Sequence, residues 1–258
     1  MDRFLARFLD GKPPGIPLFD SHGHLGRAHR DYPIFGAGAD AVIREMDRLG
    51  ICQAVVTPIC VVGTEASYLN DLLIAECRKY PDRLAGFALV NLNWDYPAIE
   101  KELDRCLSEG LCGIKLIAHY QNYPDDGPKI EEVCAYAHRR QRVILNHWWH
   151  SPDFLRRMAM SFPQATLVQG HYPGAGWASA LTAGDNVWFS TTNYFPFGSV
   201  EEMVRACRND RIVWGSDVSD LQYGWGLGPV VCADIPEETK EKILSANGRE
   251  LFRRIRGG

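Results

Sequence analysis

The sequence predicts an α/β fold, a (β/α)8 TIM barrel that forms a single domain over residues 1–258. Eight short apolar runs of strand-forming residues recur along the chain, and each precedes a segment with helical periodicity or a helix start signal. Strands that alternate with helices are typical of βαβ units and a parallel sheet. Eight such units fit a chain of this length in one domain, and no low-complexity linker divides it.

The predicted strands share a short length and an apolar, largely β-branched or aromatic composition, and they cover residues 16–20, 51–57, 84–90, 113–117, 143–146, 166–169, 187–190 and 211–214. Helices are predicted over residues 39–49, 66–79, 96–109, 130–140, 152–161, 176–182, 199–208, 236–245 and 247–255. An open doubly wound sheet is the alternative. It is less favoured because the first strand leads into His-Gly-His-Leu-Gly rather than a glycine-rich phosphate-binding turn.

Composition and charge argue against several classes of function. Apolar residues make up 46% of the chain, enough for a sizeable core, and the net charge is −4. This charge provides no basic face for nucleic acid, and no apolar run is long enough to span a bilayer. The eight cysteines include no C-x-x-C pair and read as reduced core residues. Since the N-terminus also lacks the apolar segment of a signal peptide, we expect a cytoplasmic protein.

Histidines collect at the predicted strand ends, beginning with His22 and His24 after the first strand. In a strand, residues two apart face the same side, so both imidazoles can grip one metal ion. Two histidines reach this spacing by chance often enough that the pair alone is weak evidence. Barrel enzymes carry their chemistry at the carboxyl ends of the strands. Polar residues lie at or just after the ends of four further strands: Lys115 and His119; Asn146, His147 and His150; His171; and Asp217.

Alternation along the strands favours a metal site in the barrel mouth. Val143, Leu145 and His147 share one face of the fifth strand, and Val213, Gly215 and Asp217 share one face of the eighth. The predicted metal ligands are therefore His22, His24, His147 and Asp217. Three imidazoles and a carboxylate suit one Zn²⁺ ion, and also Mn²⁺, Fe²⁺ or Ni²⁺. His171 would lie beside the ion, as a proton carrier or as a further ligand.

A family resemblance rests on six segments that together span residues 19–252. They are FDSHGHLG, GIKL, ILNHWW, VQGHYPG, IVWGSD and ILSANGRELF. On these segments the chain resembles the amidohydrolase superfamily, and in particular the amidohydrolase-2 branch. That branch includes aminocarboxymuconate semialdehyde decarboxylase and related metal-dependent lactonases and hydratases. The resemblance implies that His22, His24, His147 and Asp217 bind the metal. It also implies that His171 contacts the metal-bound water and that Asp217 can take a proton from that water. Many members form dimers or larger assemblies, which makes a homo-oligomer an expectation from resemblance only.

Lys115 has two interpretations. In members with two metal ions a lysine on the fourth strand is carboxylated and bridges the ions, whereas a plain lysine would hold a substrate anion. We favour the plain lysine. The other substrate-binding candidates are Arg27, His150 and Trp148. For Arg27 a plain position on a surface loop is the default interpretation. His150 is expected to support the substrate site or to face the substrate. Trp148 belongs to an expected aromatic lining of the mouth with Tyr120, Tyr123, Trp149, Tyr194, Phe195 and Trp225.

The sequence thus predicts a metal-dependent hydrolase that cleaves a small-molecule amide, lactone or ester through a metal-activated water. Asp217 would act as the base and His171 would assist at the developing oxyanion or the leaving group. A non-oxidative decarboxylase or a hydratase of an unsaturated or aromatic carboxylic acid is the alternative within the same fold. A non-catalytic barrel that only binds a partner is the second alternative. The expected substrate is a small molecule that carries an anionic or aromatic group, with no role for nucleic acid or membrane.

Overall fold

The protein is an eight-stranded parallel barrel whose strands neighbour one another in sequence order. The structure, a computed structural model, describes residues 2–26, 38–58, 65–172, 174–182, 184–192 and 198–257. The first and last strands approach each other through a parallel bridge between Gly23 and Val218. The predicted (β/α)8 TIM barrel is therefore confirmed. No helix among the described residues is both long and apolar enough to cross a membrane.

The strands are short and mostly coincide with the predicted runs: β1 Leu18–Leu25, β2 Ile51–Pro58, β3 Leu84–Leu89, β4 Gly113–Leu116, β5 Val143–Asn146, β6 Thr166–Gln169, β7 Val187–Ser190 and β8 Ile212–Val213. Within the described part of the chain the helices are α1 Arg3–Leu9, α2 Ala39–Leu49, α3 Ala66–Cys77, α4 Tyr96–Ser108, α5 Pro128–Arg140, α6 Pro152–Ser161, α7 Ala178–Leu181, α8 Ser199–Ala206, α9 Tyr223–Cys232, α10 Glu237–Glu241 and α11 Asn247–Gly257. A π-helical turn, Lys242–Ala246, joins α10 to α11.

Local sequence explains where several helices begin. The side chain of Ser151 accepts a hydrogen bond from the backbone N–H of Phe154 at 3.2 Å, and Pro152 occupies the first turn of α6. Asp95 caps α4 in the same way, at 2.9 Å from the N–H of Ala98. These side-chain oxygens satisfy backbone donors that a helix leaves without partners at its start. The start of α6 at Pro152 agrees with the predicted helix over residues 152–161.

The barrel interior is filled by inward-facing side chains, and α11 covers its amino-terminal end. The interior cluster comprises Phe19, Val55, Ala85, Phe87, Val143, Leu145, Val168, Trp188 and Val213, together with Leu251, Phe252 and Ile255 of α11. The rings of Phe19 and Phe252 lie 5.9 Å apart between centroids. A larger cluster packs the outer faces of the strands against the surrounding helices. Because both clusters are apolar, the carboxyl ends of the strands remain as the place where polar side chains lie.

Two of the predicted strands, the first and the eighth, differ from the structure in ways that matter for function. β1 continues to Leu25 and so contains His22 and His24 instead of ending before them. β8 spans only Ile212–Val213, so Asp217 lies in the loop beyond the strand. The helix α9 was also not predicted, since Gly and Pro are frequent in its sequence. Its Gly226 packs against the backbone of Gly215 and Ser216, where an added Cβ would lie 2.7 Å from each.

Candidate metal centre

A β-bulge in β1 turns His22 and His24 toward the barrel mouth. Asp20 pairs with Ala54 and Gly23 with Val56, so two residues of β1 lie opposite one residue of β2. An extra residue of this kind reverses the alternation of side chains beyond it. Both histidines are buried, and their ring centroids are 5.3 Å apart. Because of the bulge, both imidazoles lie next to each other in the mouth of the barrel.

Asp217 reaches the two histidines from the loop that follows β8. Its backbone has a positive φ of 60°, and its N–H donates to the carbonyl oxygen of His22 at 2.8 Å. The carboxylate Oδ1 lies 2.9 Å from Nε2 of His24 and 3.7 Å from Nε2 of His22. A non-glycine residue in the left-handed region is uncommon, and aspartate is among those that tolerate it best. The turn therefore places a buried carboxylate between two imidazoles.

His22, His24 and Asp217 form a group that can hold a metal ion. Each contributes one ligand atom, and the three atoms lie within 4.8 Å of one another. Nδ1 of His22 lies 2.9 Å from the carbonyl oxygen of Gly170, which leaves Nε2 to face the group. A side chain at position 170 would crowd this ring, because an added Cβ would come within 3.2 Å of Cε1 of His22. Outer hydrogen bonds of this kind orient the imidazoles of metal sites.

Burial sets the protonation state of the centre. Burial lowers the pKa of His22 well below its usual value, and the nearby charge of Lys115 acts in the same direction. Burial would raise the pKa of Asp217, but the hydrogen bond to His24 and the charges of the imidazoles outweigh it and hold that pKa well below 3.8. His22 is thus neutral and Asp217 ionised at neutral pH. A divalent cation needs its ligands in these states.

His147 and His171 form a second pair beside the first. Nδ1 of His147 and Nε2 of His171 are 3.0 Å apart, and the ring of His171 meets that of His22 edge-on at 5.0 Å. Burial lowers the pKa of His171 to about 4, and desolvation lowers that of His147 well below its usual range. Among the described residues, the group that can hold a metal consists of His22, His24 and Asp217. The ring of His147 packs against that of His171, with 4.1 Å between the centroids.

Lys115 is buried at the end of β4, with only 1% of its surface exposed. Its Nζ lies 3.0 Å from Nε2 of His22. β4 pairs Lys115 with Leu89 on one side and Leu145 on the other, so the register of the barrel holds its backbone. The structure therefore brings this predicted substrate-binding lysine into direct contact with a candidate metal ligand.

The other predicted substrate-binding residues differ in position. Trp148 is partly buried and lines a cavity of about 370 Å³ together with His119, Asp125, His147, His171 and Tyr172. His150 lies on the exposed rim, 3.6 Å from a carboxylate oxygen of Asp126. Arg27 lies outside the described residues, as do Tyr194 and Phe195 of the expected aromatic lining. Trp149 is fully buried and donates to the carbonyl oxygen of Val168, so its contacts are structural, whereas Trp225 is 67% exposed.

Two polar groups near the site were not assigned from the sequence. The amide Nε2 of Gln169 donates to the carbonyl oxygens of His147 at 3.2 Å and of His171 at 2.9 Å. Asp125 lies 3.2 Å from Nδ1 of His119 at the cavity wall. A fully buried glutamine inside the apolar run Thr166–Gln169 was the available signal for the first group. Nothing local marks Asp125, because its partner lies on the preceding 3-10 turn.

The sequence matches a family model described as amidohydrolase, of the amidohydrolase-2 type, over residues 19–254. The chain belongs to this family. The match covers β1 from Phe19 onward, the seven other strands and the whole candidate centre. It confirms the family resemblance drawn from the six sequence segments. Among curated protein sequences, none matches this chain significantly.

Solved structures share the barrel at low sequence identity. A 2,6-dihydroxybenzoate decarboxylase complexed with 2,6-dihydroxybenzoate is 17% identical over 92% of this chain and 99% of its own, with a TM-score of 0.69. A probable 2-pyrone-4,6-dicarboxylic acid hydrolase from Acinetobacter baumannii, with citric acid bound, is 17% identical over 92% and 99%, with a TM-score of 0.67. A 4-oxalomesaconate hydratase from Rhodopseudomonas palustris is 14% identical over 93% and 97%, with a TM-score of 0.68. At these identities the likeness shows the fold.

Proposed function

We propose that this amidohydrolase family member is a metal-dependent hydrolase of a small-molecule amide, lactone or ester. The observation that carries the proposal is the convergence of His22, His24 and Asp217 within 4.8 Å beside a cavity of about 370 Å³. Two imidazoles and a carboxylate fit Zn²⁺ first, and Mn²⁺, Fe²⁺ or Ni²⁺ as well. We propose one ion per chain. His147 is the candidate fourth ligand, and it would use Nε2 because its Nδ1 faces His171.

The metal ion, Asp217 and His171 have different roles in the proposed reaction. A divalent cation supplies Lewis-acid activation of water and of a substrate carbonyl. Asp217, ionised and held between two imidazoles, accepts the proton that the attacking water loses. His171 lines the cavity as a neutral imidazole, and a neutral imidazole can donate one N–H bond to a developing oxyanion or a leaving group. Asp217 and His171 are therefore the proposed catalytic residues.

The proposed substrate carries a negative charge or an aromatic ring. Lys115 presents a buried amino group beside His22, and an anion bound nearby would offset the cost of burying its charge. Trp148 and Tyr172 line the cavity with flat apolar surfaces, which suit a ring. We propose Lys115, Trp148, Arg27 and His150 as substrate-binding residues. The proposal for Arg27 is supported by its sequence position alone. The proposal for His150 is supported by its location on the exposed rim of the site.

A non-oxidative decarboxylase or a hydratase is the second candidate. Three solved proteins that share this barrel are named for carboxylic acids: 2,6-dihydroxybenzoate, 2-pyrone-4,6-dicarboxylic acid and 4-oxalomesaconate. The contact between Lys115 and His22 favours an acid substrate for this chain too. The same centre would then act on a conjugated or aromatic carboxylic acid rather than on an ester or amide.

Metal analysis followed by a substrate panel tests the proposal. We expect about one equivalent of a divalent metal per chain, lost in His22→Ala and retained in His138→Ala, which removes a histidine from α5 outside the cluster. The panel contains lactones, esters and amides in one arm and aromatic or unsaturated carboxylic acids in the other. Turnover in the first arm supports the hydrolase and turnover in the second the lyase. A protein without metal that turns over nothing would instead match a non-catalytic binding barrel.

A further inference from the structure

We infer that Lys115 and a divalent cation compete for one lone pair on His22, so that metal loading frees the lysine to hold a substrate anion. This inference rests on the proposed function, since it assumes that the centre takes up a metal. It adds a coupling between two ligands: the metal and the anion each strengthen the binding of the other. The evidence is the hydrogen bonding of the His22 ring.

The tautomer of His22 follows from its partners. Nδ1 lies 2.9 Å from the carbonyl oxygen of Gly170, and a carbonyl oxygen can only accept, so Nδ1 carries the hydrogen. Nε2 then carries the lone pair. Nζ of Lys115 lies 3.0 Å from that nitrogen, so the lysine is the donor. The hydrogen bond therefore occupies the lone pair that a metal would need.

The same nitrogen is the metal-facing atom of the candidate centre. Because Gly170 engages Nδ1, only Nε2 of His22 remains to join Asp217 and His24. An imidazole nitrogen offers a single lone pair. A cation at His22 and the Lys115 hydrogen bond therefore exclude each other, and metal loading must displace the amino group.

The surroundings of Lys115 limit where the displaced amino group can go. The residue is 1% exposed, and its backbone is paired on both sides within the barrel. The side chain can therefore reorient only inside the barrel mouth. A substrate anion in the mouth would be attracted both to the cation and to the released amino group. Such an anion would keep Lys115 away from His22 and so raise the affinity for the metal. By linkage, the metal raises the affinity for the anion by the same factor.

Metal affinity measured without turnover tests the competition. Metal-free wild type, Lys115→Met and Lys115→Gln are titrated with Co²⁺ against a chromophoric chelator, and circular dichroism checks their folding. Removal of a competing hydrogen bond to a charged group predicts about 10- to 100-fold tighter metal binding in Lys115→Met. Lys115→Gln keeps a donor and should lie between. Lys101→Met removes the same charge from the exposed face of α4 and should change the affinity by less than about twofold.

Benzoate then tests the coupling in the wild-type protein. We expect saturating benzoate to tighten Co²⁺ binding in the wild type and to do so much less in Lys115→Met. An equal effect in both proteins would mean that benzoate acts on the metal alone and would overturn the coupling. Unchanged metal binding in both Lys115 variants would overturn the competition itself. Weaker binding would also overturn it and would assign the lysine to holding the metal. If the wild type bound no cation at all, the proposed function would fail first, which separates the two failures.

Discussion

The two ends of the histidine cluster are built from the same side chain but differ in what surrounds it. At the β1 end, His22 and His24 meet the carboxylate of Asp217 at 3.7 and 2.9 Å. At the β5–β6 end, His147 and His171 meet each other at 3.0 Å and border the cavity that Trp148 lines. A carboxylate beside imidazoles suits a cation, whereas the neutral imidazole of His171, which lines the cavity, suits a hydrogen bond to a substrate. The comparison shows that the group next to a histidine, rather than the histidine itself, decides whether the imidazole suits a metal ion or a substrate.

The largest expected effect comes from removing the carboxylate at the β1 end. Asp217→Asn should lower kcat by about 10²–10⁴-fold, because an amide cannot accept the proton. It should also weaken metal binding, because an amide oxygen is a poorer ligand. The measurement is kcat together with metal content, at unchanged circular dichroism. The exposed and distant Asp153→Asn is the control. Near-normal turnover in Asp217→Asn would remove this residue from the mechanism.

His171→Asn probes the other end. We expect it to retain its metal and to lose about 10²-fold in kcat, because an amide cannot exchange a proton as an imidazole does. Metal content and kcat are measured on the same preparation. Loss of the metal from this variant would make His171 a ligand and would erase the difference between the two ends.

A smaller effect is expected from Gln169, which joins the two loops of the β5–β6 end. Gln169→Leu removes the amide that donates to the carbonyl oxygens of His147 and His171. We expect kcat to fall by about tenfold with little change in metal content, since a slight misplacement of catalytic groups is costly. Gln169→Glu, which keeps the shape but presents acceptors to the carbonyls, should be no better. If kcat were unchanged in both, the amide would have no role in positioning.

The pH dependence of stability tests what both ends share, which is burial. In the folded protein the pKa of His171 is about 4, and those of His22 and His147 are also lowered. The unfolded chain, with histidine pKa values of about 6.5, therefore binds more protons between about pH 4 and 6.5, and stability falls as the pH falls through this window. Asp20 opposes the trend, because burial raises its pKa to about 7.

Three histidines outnumber this one aspartate, so we expect a net loss of stability on acidification of the metal-free protein. Urea unfolding at about pH 5 and about pH 7 measures the difference. His171→Asn should reduce the pH dependence, because one buried titrating group is gone. Asp20→Asn should increase it, provided that the variant folds. Greater stability at the lower pH would contradict the proposed protonation states of the imidazoles.

Much of the barrel could be predicted from the sequence alone. The strands β5, β6 and β7 have the predicted bounds, and α2 and α6 begin and end where their patterns indicated. These elements depend on local signals, namely apolar periodicity and cap residues, which the sequence states directly. The residue types for a metal centre were also evident, because histidines and an aspartate, which are common metal ligands, recur at the predicted strand ends.

Only the tertiary structure decided how those residues meet. The bulge in β1 depends on pairing with β2, and the turn at Asp217 depends on a hydrogen bond to the backbone of His22. His24 and Asp217 are 193 residues apart in sequence, and Lys115 lies 93 residues from His22. Such contacts carry no local signature, because each is the outcome of packing eight strands against one another. The sequence by itself therefore determined the barrel fold and the residue types that can bind a metal. The closed barrel decided which of those residues contact one another.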